Sequence, residues 1–118
     1  INALSVHGTA TPYNDEMEAI AIHRAHMQEV PILAFKGYYG HTMGAAGVLE
    51  TILTMLALEN GTLIGNPRYD ACGTSYALNI TKEHRSLGKL PMYFIKMMSG
   101  FGGCNAAIRL SYCGCDEL

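Results

Sequence analysis

Three polar side chains stand where predicted elements end, and they could act together on one substrate. His7 follows the first apolar run, Lys36 ends the second, and His41 leads into a long apolar helix. In open α/β sheets, ligands collect beyond the carboxyl ends of the strands, so these residues could converge on one pocket. Each also has a structural interpretation, because loop histidines are commonly hydrogen-bonded or exposed and strand-terminal lysines are commonly solvated.

Glycines around His41 favour the shared site. Gly40, Gly44 and Gly47 remove side chains on and before the helix, which allows close approach of backbone or ligand. A glycine inside a helix costs about 1 kcal/mol relative to alanine unless contact offsets it. His41 would lie at the positive end of the helix dipole, which disfavours a charged imidazole. A neutral histidine there could donate an N–H to a carbonyl oxygen that gains negative charge.

The elements that must position these residues alternate along the first half of the chain. The run INALSV predicts a strand that ends near His7. Asp15 and Glu18 resemble a capping box, and they begin an amphipathic helix that runs to about Gln28. Its predicted buried face carries Met17, Ile20, Ala21 and Ala25, and its predicted solvent face carries Glu16, His23 and His26.

The next strand and helix are both apolar. The run from Pro31 to Lys36 predicts a buried strand, and a helix follows from about Thr42 to Glu59. Apolar residues cover almost its whole circumference, so it should be buried on nearly all sides. A chain of 118 residues cannot supply that much cover. We therefore expect a missing region or a partner. Because Ile1 is not a translation start, we also expect a chain processed or cut from a longer one.

The residue pattern in the second half of the chain predicts strands. Short strands are expected at Leu63–Gly65 and Ala77–Ile80, in a region rich in Gly, Pro and Asn. Two clearer β runs, PMYFIKMM and NAAIRLSY, are joined by the glycine-rich turn SGFGGC. The order predicts an α/β fold with a layered β-α-β-α-β-β arrangement and a buried second helix.

Composition excludes several classes of function. The chain has 8 basic and 10 acidic residues, scattered along it, so nucleic-acid binding is not predicted. The longest apolar tract is shorter than the roughly 20 residues of a membrane span.

The cysteines lack paired C-x-x-C spacing, which favours free thiols in a reducing, cytoplasmic setting and predicts no metal site. A C-terminal C-x-C metal or redox site is the alternative. The four cysteines are Cys72, Cys104, Cys113 and Cys115.

Three motifs in order resemble a known family. HGTATPYNDEMEA, KGYYGHTMGAAGVLE and GFGGCNAAI are similar to successive motifs in the C-terminal half of β-ketoacyl-acyl carrier protein synthases, which have the thiolase fold. The resemblance runs from Ile1 to about Leu110. It implies a C-terminal thiolase-like domain at residues 1–112 and a tail at residues 113–118.

The resemblance also implies roles. His7 and His41 match the two active-site histidines that bind the malonyl thioester carbonyl and stabilise the enolate left by decarboxylation. Lys36 matches the active-site lysine, and Glu50 matches its carboxylate partner, which explains a single charge in an apolar helix. The remaining matches are the pocket gate Phe101, the substrate-binding pair Thr9 and Thr11 near the carrier's phosphopantetheine arm, and a structural Asn105.

The resemblance does not include the family's nucleophile. The family's acyl-accepting cysteine belongs to an N-terminal half, and nothing here matches its motif. Cys72 in DACGTS lies on the wrong side of the chain order and is interpreted as incidental. Ser99 and Cys104 depart from the commoner residues of the closing motif, which puts the shape of the acyl pocket in doubt.

Three hypotheses follow. The first is the C-terminal part of a ketosynthase, an acyltransferase that is inactive as a fragment. It would act with an N-terminal half that carries the cysteine and with acyl carrier protein, as a homo- or hetero-oligomer that binds no cofactor of its own. The second is a non-catalytic partner subunit, like a chain-length factor. The third is a stand-alone thioester-binding module, which the exposed apolar face of such a monomer disfavours.

Overall fold

The computed structural model describes residues 1–88 and 92–113. Residues 89–91 and 114–118, which include Cys115 and most of the expected tail, lie outside the described residues. In chain order the strands and helices are β1 (Ala3–Ser5), α1 (Pro12–Arg24), β2 (Ile32–Leu33), α2 (Lys36–Tyr39), a 3-10 turn (Met43–Ala45), α3 (Ala46–Glu59), β3 (Thr62–Leu63), β4 (Arg85–Ser86), β5 (Met92–Gly100) and β6 (Cys104–Tyr112).

A four-stranded mixed sheet in the order β2-β1-β5-β6 forms the centre of the molecule. The first strand, β1, pairs in parallel with both β2 and β5, so its carboxyl end lies inside the sheet. The last two strands form an antiparallel hairpin, and Ser5 of β1 lies opposite Lys96 of β5. The predicted α/β fold and the closing pair of strands are therefore confirmed.

The two faces of the sheet have separate apolar cores because side chains alternate along each strand. Ala3 and Phe94 pack with Leu58 of α3 on one face. Leu4 and Val6 pack with Ile22 of α1 on the other face. Helices on both faces are the layered arrangement that the sequence predicted.

The first helix differs from the prediction in its start and in its buried face. It begins at Pro12, three residues before Asp15, and its N-cap Thr11 makes no side-chain cap. Its buried residues are Glu18, Ala19 and Ile22, whereas the predicted face residues Ala21 and Ala25 are exposed. The reason is that the Glu18 carboxylate binds backbone N–H groups at the end of β1, which turns Ala19 and Ile22 onto the sheet. No capping box forms.

The predicted solvent face of α1 is partly covered. The Glu16 carboxylate accepts a hydrogen bond from the Ser75 N–H at 2.8 Å. The His23 ring stacks on Tyr76 with a centroid distance of 3.8 Å, while His26 is exposed. A later loop therefore crosses this face of the helix.

The predicted second helix is confirmed, but it is buried on one face only. Its buried residues are Ala46, Glu50, Thr54, Ala57 and Leu58. On the opposite face, Val48 is 68% exposed and Ile52 is 48% exposed. The expectation of burial on nearly all sides is not met within this chain. Among the described residues, no helix is long and apolar enough to span a bilayer.

The segment after α3, where the sequence pattern is weak, was predicted only in part. The strand β3 confirms part of the expected strand at Leu63–Gly65. The expected strand at Ala77–Ile80 is wrong, because this segment is irregular, although the Asn79 carbonyl accepts a hydrogen bond from the Ile32 N–H. The partner of β3 is instead Arg85–Ser86, which the sequence did not indicate.

Candidate active site

Four predicted site residues meet beyond the carboxyl end of β1. His7 follows β1, Lys36 begins α2, His41 precedes the 3-10 turn, and Glu50 lies in α3. The chain can turn away after His7 because Gly8 adopts a φ of +51°. A Cβ atom there would lie 3.1 Å from a Val6 methyl group, so this position favours glycine.

The Lys36 ammonium uses its three protons on three acceptors. Nζ lies 2.6 Å from the His7 carbonyl oxygen, 3.2 Å from His7 Nδ1 and 2.6 Å from Glu50 Oε1. An ammonium group can only donate, so His7 Nδ1 must present its lone pair. In the neutral ring the proton is then on Nε2.

His41 is held in the same tautomer by a different donor. The Met43 backbone N–H donates to His41 Nδ1 at 2.9 Å, which leaves the neutral ring protonated at Nε2. Met43 has a φ of +53°, an uncommon conformation for a side chain of this size. The His7 and His41 rings stand edge to face, with centroids 5.1 Å apart and an interplanar angle of 79°. Two imidazole rings whose Nδ1 atoms both accept hydrogen bonds therefore lie next to each other.

The surroundings of His7 keep its imidazole neutral. The pKa falls from 6.5 to about 4, first because burial disfavours the charged ring and then because of the positive charge of Lys36. His41 and Lys96 lower it further, and Glu50 opposes them. At neutral pH the ring can donate from Nε2 without carrying a charge of its own.

Sequence reasoning missed Lys96. This lysine lies in β5, and its Nζ donates to the Val6 carbonyl oxygen at 3.0 Å and to Glu50 Oε2. Its side chain is 2% exposed, and that of Glu50 is fully buried. A signal was available, because Met92, Phe94 and Lys96 alternate with partly exposed residues and so share the inward face of a strand.

Glu18 was also missed as a site residue. Its carboxylate accepts hydrogen bonds from the His7 N–H at 2.7 Å and from the Gly8 N–H at 2.8 Å. Asn14 Nδ2 donates a third at 3.0 Å. Burial raises the pKa of Glu18, and these three bonds oppose that rise. The Glu18 carboxylate therefore fixes the backbone of His7 and Gly8, which positions the His7 ring.

Other predicted residues lie outside this cluster. The Thr9 and Thr11 hydroxyl oxygens are 2.7 Å apart and exposed, on a turn in which Ala10 has a φ of +57°. In the described part of the chain, Phe101 is fully exposed at the tip of the β5–β6 hairpin. The prediction that these residues belong to the site rests on family resemblance alone.

Cys72 lies away from the histidines. Its Sγ is 3.2 Å from Thr74 Oγ1, and the residue is exposed. It lines a cavity of about 570 Å³ between α1 and the loop 66–80, and His7, Lys36 and His41 are not among the described residues that line this cavity. The geometry gives Cys72 no part in the cluster.

Known proteins share this sequence and fold. The family model described as "Beta-ketoacyl synthase, C-terminal domain" matches residues 1–70. The chain is 37% identical over 112 residues to 3-oxoacyl-[acyl-carrier-protein] synthase 1 of Escherichia coli strain K12, covering 92% of this chain and 27% of that protein. A beta-ketoacyl synthase from Burkholderia phymatum STM815 superposes with a TM-score of 0.85 at 26% identity, over 97% of this chain and 28% of that one.

A complex is also among the similar structures. The ketosynthase AntDE, solved with the acyl carrier protein AntF and bound to a hexaketide, matches with a TM-score of 0.77 at 25% identity, over 97% of this chain and 28% of that chain. The fold and motifs together define a thiolase-like ketosynthase domain. This chain belongs to the beta-ketoacyl synthase family, in its C-terminal domain. It spans about a quarter of the length of the relatives that it matches.

Proposed function

We propose that this chain supplies the decarboxylating half of a β-ketoacyl-acyl carrier protein synthase, which joins a malonyl unit to an acyl thioester in fatty-acid or polyketide synthesis. One observation carries the proposal. Two neighbouring imidazoles are each held as Nε2–H donors by separate contacts, Lys36 on His7 and the Met43 N–H on His41. Such a pair suits an oxygen atom that becomes an anion.

The proposed step follows from that pair. The thioester carbonyl oxygen of the malonyl group accepts hydrogen bonds from His7 and His41. The bond between the α-carbon and the carboxylate breaks, carbon dioxide leaves, and the electron pair forms an enolate whose charge rests on that oxygen. Neither imidazole gives up its proton, since a neutral donor stabilises the charge without transferring it.

The second step needs a residue from outside this chain. An acyl group held as a thioester on a cysteine is attacked by the enolate carbon, a carbon–carbon bond forms, and the cysteine thiolate leaves. We propose that the cysteine belongs to an N-terminal region of the kind that the longer relatives contain. Cys72 is not proposed for this role, because His7, Lys36 and His41 are not among the described residues that line its cavity.

The carrier and its path are part of the proposal. The malonyl group would arrive on the phosphopantetheine arm of an acyl carrier protein, and the neighbouring Thr9 and Thr11 hydroxyls could bind the amides of that arm. The similar AntDE–AntF structure, which holds an acyl carrier protein on a ketosynthase, supports the choice of partner. Phe101, exposed on its hairpin, is proposed to gate the acyl pocket once the N-terminal region packs beside it.

A reconstitution experiment tests the function. Malonyl-acyl carrier protein is supplied to the chain alone, to the chain with its N-terminal region, and to that combination with His41→Ala. Release of carbon dioxide and formation of the β-ketoacyl product are measured together. We expect activity only in the combination and loss of activity in the variant.

A folded combination without activity would overturn the enzymatic proposal. It would favour the non-catalytic partner subunit. The lysine, the carboxylate and the two paired donors weigh against that alternative, because a subunit that only shapes a pocket has no chemical need for them.

A further inference from the structure

The proposed mechanism leaves one buried charge without a role. Lys96 lies in the middle of β5, with its side chain 2% exposed, in a register where Met92 and Phe94 provide apolar cover. A buried ammonium group is costly, and replacing a buried ion pair by apolar residues is often neutral or stabilising. Stability alone therefore gives little reason for a lysine at this position.

The contacts of Lys96 mirror those of Lys36. Lys36 binds the His7 carbonyl oxygen and Glu50 Oε1, and Lys96 binds the Val6 carbonyl oxygen and Glu50 Oε2. One carboxylate thus holds two ammonium groups, and each ammonium holds one of two consecutive carbonyl groups at the end of β1. The backbone of Val6 and His7 is therefore held from β5 and from α2, and Glu50 of α3 joins the two lysines.

This arrangement leaves Glu50 no free rotation. With both oxygens occupied, the carboxylate cannot turn away from Lys36, and the Lys36 ammonium stays within reach of His7 Nδ1. If Oε2 were unpaired in a fully buried site, the carboxylate would move to satisfy it. The position of Lys36 therefore depends on Lys96.

We propose that Lys96 is a positioning residue for the decarboxylation, acting through Glu50 and Lys36 to hold His7 as a neutral Nε2–H donor. The inference rests on the proposed function for its effect on rate, and on the described contacts for its effect on His7. Lys96 itself does not reach the substrate oxygen in this mechanism.

The titratable groups that face His7 decide the direction of the effect. In the described residues they are Glu18 from α1, Lys36 from α2, His41 from the turn before α3, Glu50 from α3 and Lys96 from β5. Removing Lys96 takes away one of the positive charges while both carboxylates remain. The ring then binds a proton more readily, and Lys36 holds Nδ1 less firmly.

The experiment compares Lys96→Met and Lys96→Gln in the combination of this chain with its N-terminal region. Lys82→Met is the matched control, because Lys82 is half exposed and pairs loosely with Asp70 at 3.7 Å. Decarboxylation is measured from pH 4 to 8, and the His7 ring nitrogens are followed by NMR in the same samples. A double variant, Lys96→Met with Glu50→Gln, shows whether the lysine acts through the carboxylate.

We expect kcat to fall by about 10- to 100-fold with KM changed less than about twofold, because a misplaced donor affects the reacting state more than binding. The acid limb of the pH profile should move to higher pH, and the NMR titration of His7 should move with it. The double variant should lose little more activity than Glu50→Gln alone.

Unchanged kcat and unchanged titration of His7 in either folded variant would overturn the inference. The NMR titration does not require turnover, so it also separates the two proposals. If the parent protein fails to decarboxylate the substrate but the His7 titration still depends on Lys96, the proposed function fails and the positioning role stands. If Lys96→Met does not fold, Lys96→Gln, which keeps hydrogen-bond donors, decides the outcome.

Discussion

Lys36 determines which nitrogen of the neutral His7 ring carries the proton. The ammonium group occupies Nδ1, and burial with nearby positive charge holds the pKa at about 4, so Nε2 carries the proton at neutral pH. In His41 the Met43 N–H, rather than a charged group, occupies Nδ1. Loss of the Lys36 charge should therefore affect His7 much more than His41.

Lys36→Met should lower the decarboxylation rate by about 100-fold, because His7 then samples both tautomers and accepts a proton more readily. The acid limb of the pH–rate profile should move to higher pH. The measurement is the pH dependence of carbon dioxide release, with Lys82→Met as the control. An acid limb at the parental pH in Lys36→Met would contradict the role assigned to Lys36.

The lowered pKa of His7 also predicts acid sensitivity of the fold. The folded ring binds a proton only near pH 4, whereas the unfolded ring binds one near 6.5, so the unfolded chain holds more protons between these values. The His7 contribution to the free energy of unfolding is complete above about pH 6.5 and is lost as the pH falls toward 4. In urea titrations at several pH values, the free energy of unfolding should decrease less steeply between pH 6.5 and 4 for His7→Gln than for the parent. Equal slopes would contradict the prediction.

At the scale of elements, motif and pattern predicted some placements and missed others. The positions of His7 and Glu50 follow from a strand end and from a single charge in an apolar helix. Lys36 was predicted to end a strand, but β2 ends at Leu33 and Lys36 begins α2. Glu18 was assigned to a helix cap, because local spacing cannot show that its carboxylate reaches backbone N–H groups 10 and 11 residues away. Lys96 was readable from its inward register in β5, but its partner Glu50 lies 46 residues away and only the fold joins them.

Glu50→Gln should destabilise the fold more than an ordinary surface change. The substitution removes a fully buried negative charge, and the ammonium groups of Lys36 and Lys96 lose the carboxylate that pairs with both. Breaking a buried ion pair by removing one partner costs about 3–5 kcal/mol. Chemical unfolding measures the loss, with Glu59→Gln at the exposed end of α3 as the control. A loss below about 1 kcal/mol would show that the two lysines find other partners.

For the whole molecule, the sequence predicted the α/β layers and the need for additional protein. It could not show which face of α3 this chain buries, because both faces are apolar. The structure buries the Glu50 face and exposes the face of Val48, Ile52 and Leu56. Relatives almost four times as long have further chain that could cover such a face.

The exposed face of α3 should cause self-association when the chain is alone. Val48→Ser with Ile52→Ser should reduce it, since two apolar side chains at 68% and 48% exposure are replaced by small polar ones. Sedimentation measures the effect at several concentrations. Tyr13→Ser, at a residue 93% exposed on the other helix, is the control. Equal self-association of all three chains would show that another surface is responsible.

We expect the proposed N-terminal region to cover this face of α3, so the same double substitution should weaken its binding. A binding titration of the two parts should show a higher Kd for the double variant than for Tyr13→Ser. An unchanged Kd would contradict the assignment of this face to that region.

The most direct test of the paired-donor site is to measure the protonation of His7 and His41 in the complete protein. Nitrogen NMR of His7 and His41 at neutral pH reports which ring nitrogen carries the proton. The paired-donor site requires Nε2–H in both rings, with His7 titrating near pH 4. A proton on Nδ1 of either ring, or titration of His7 near 6.5, would contradict the paired-donor site on which the proposed decarboxylation depends.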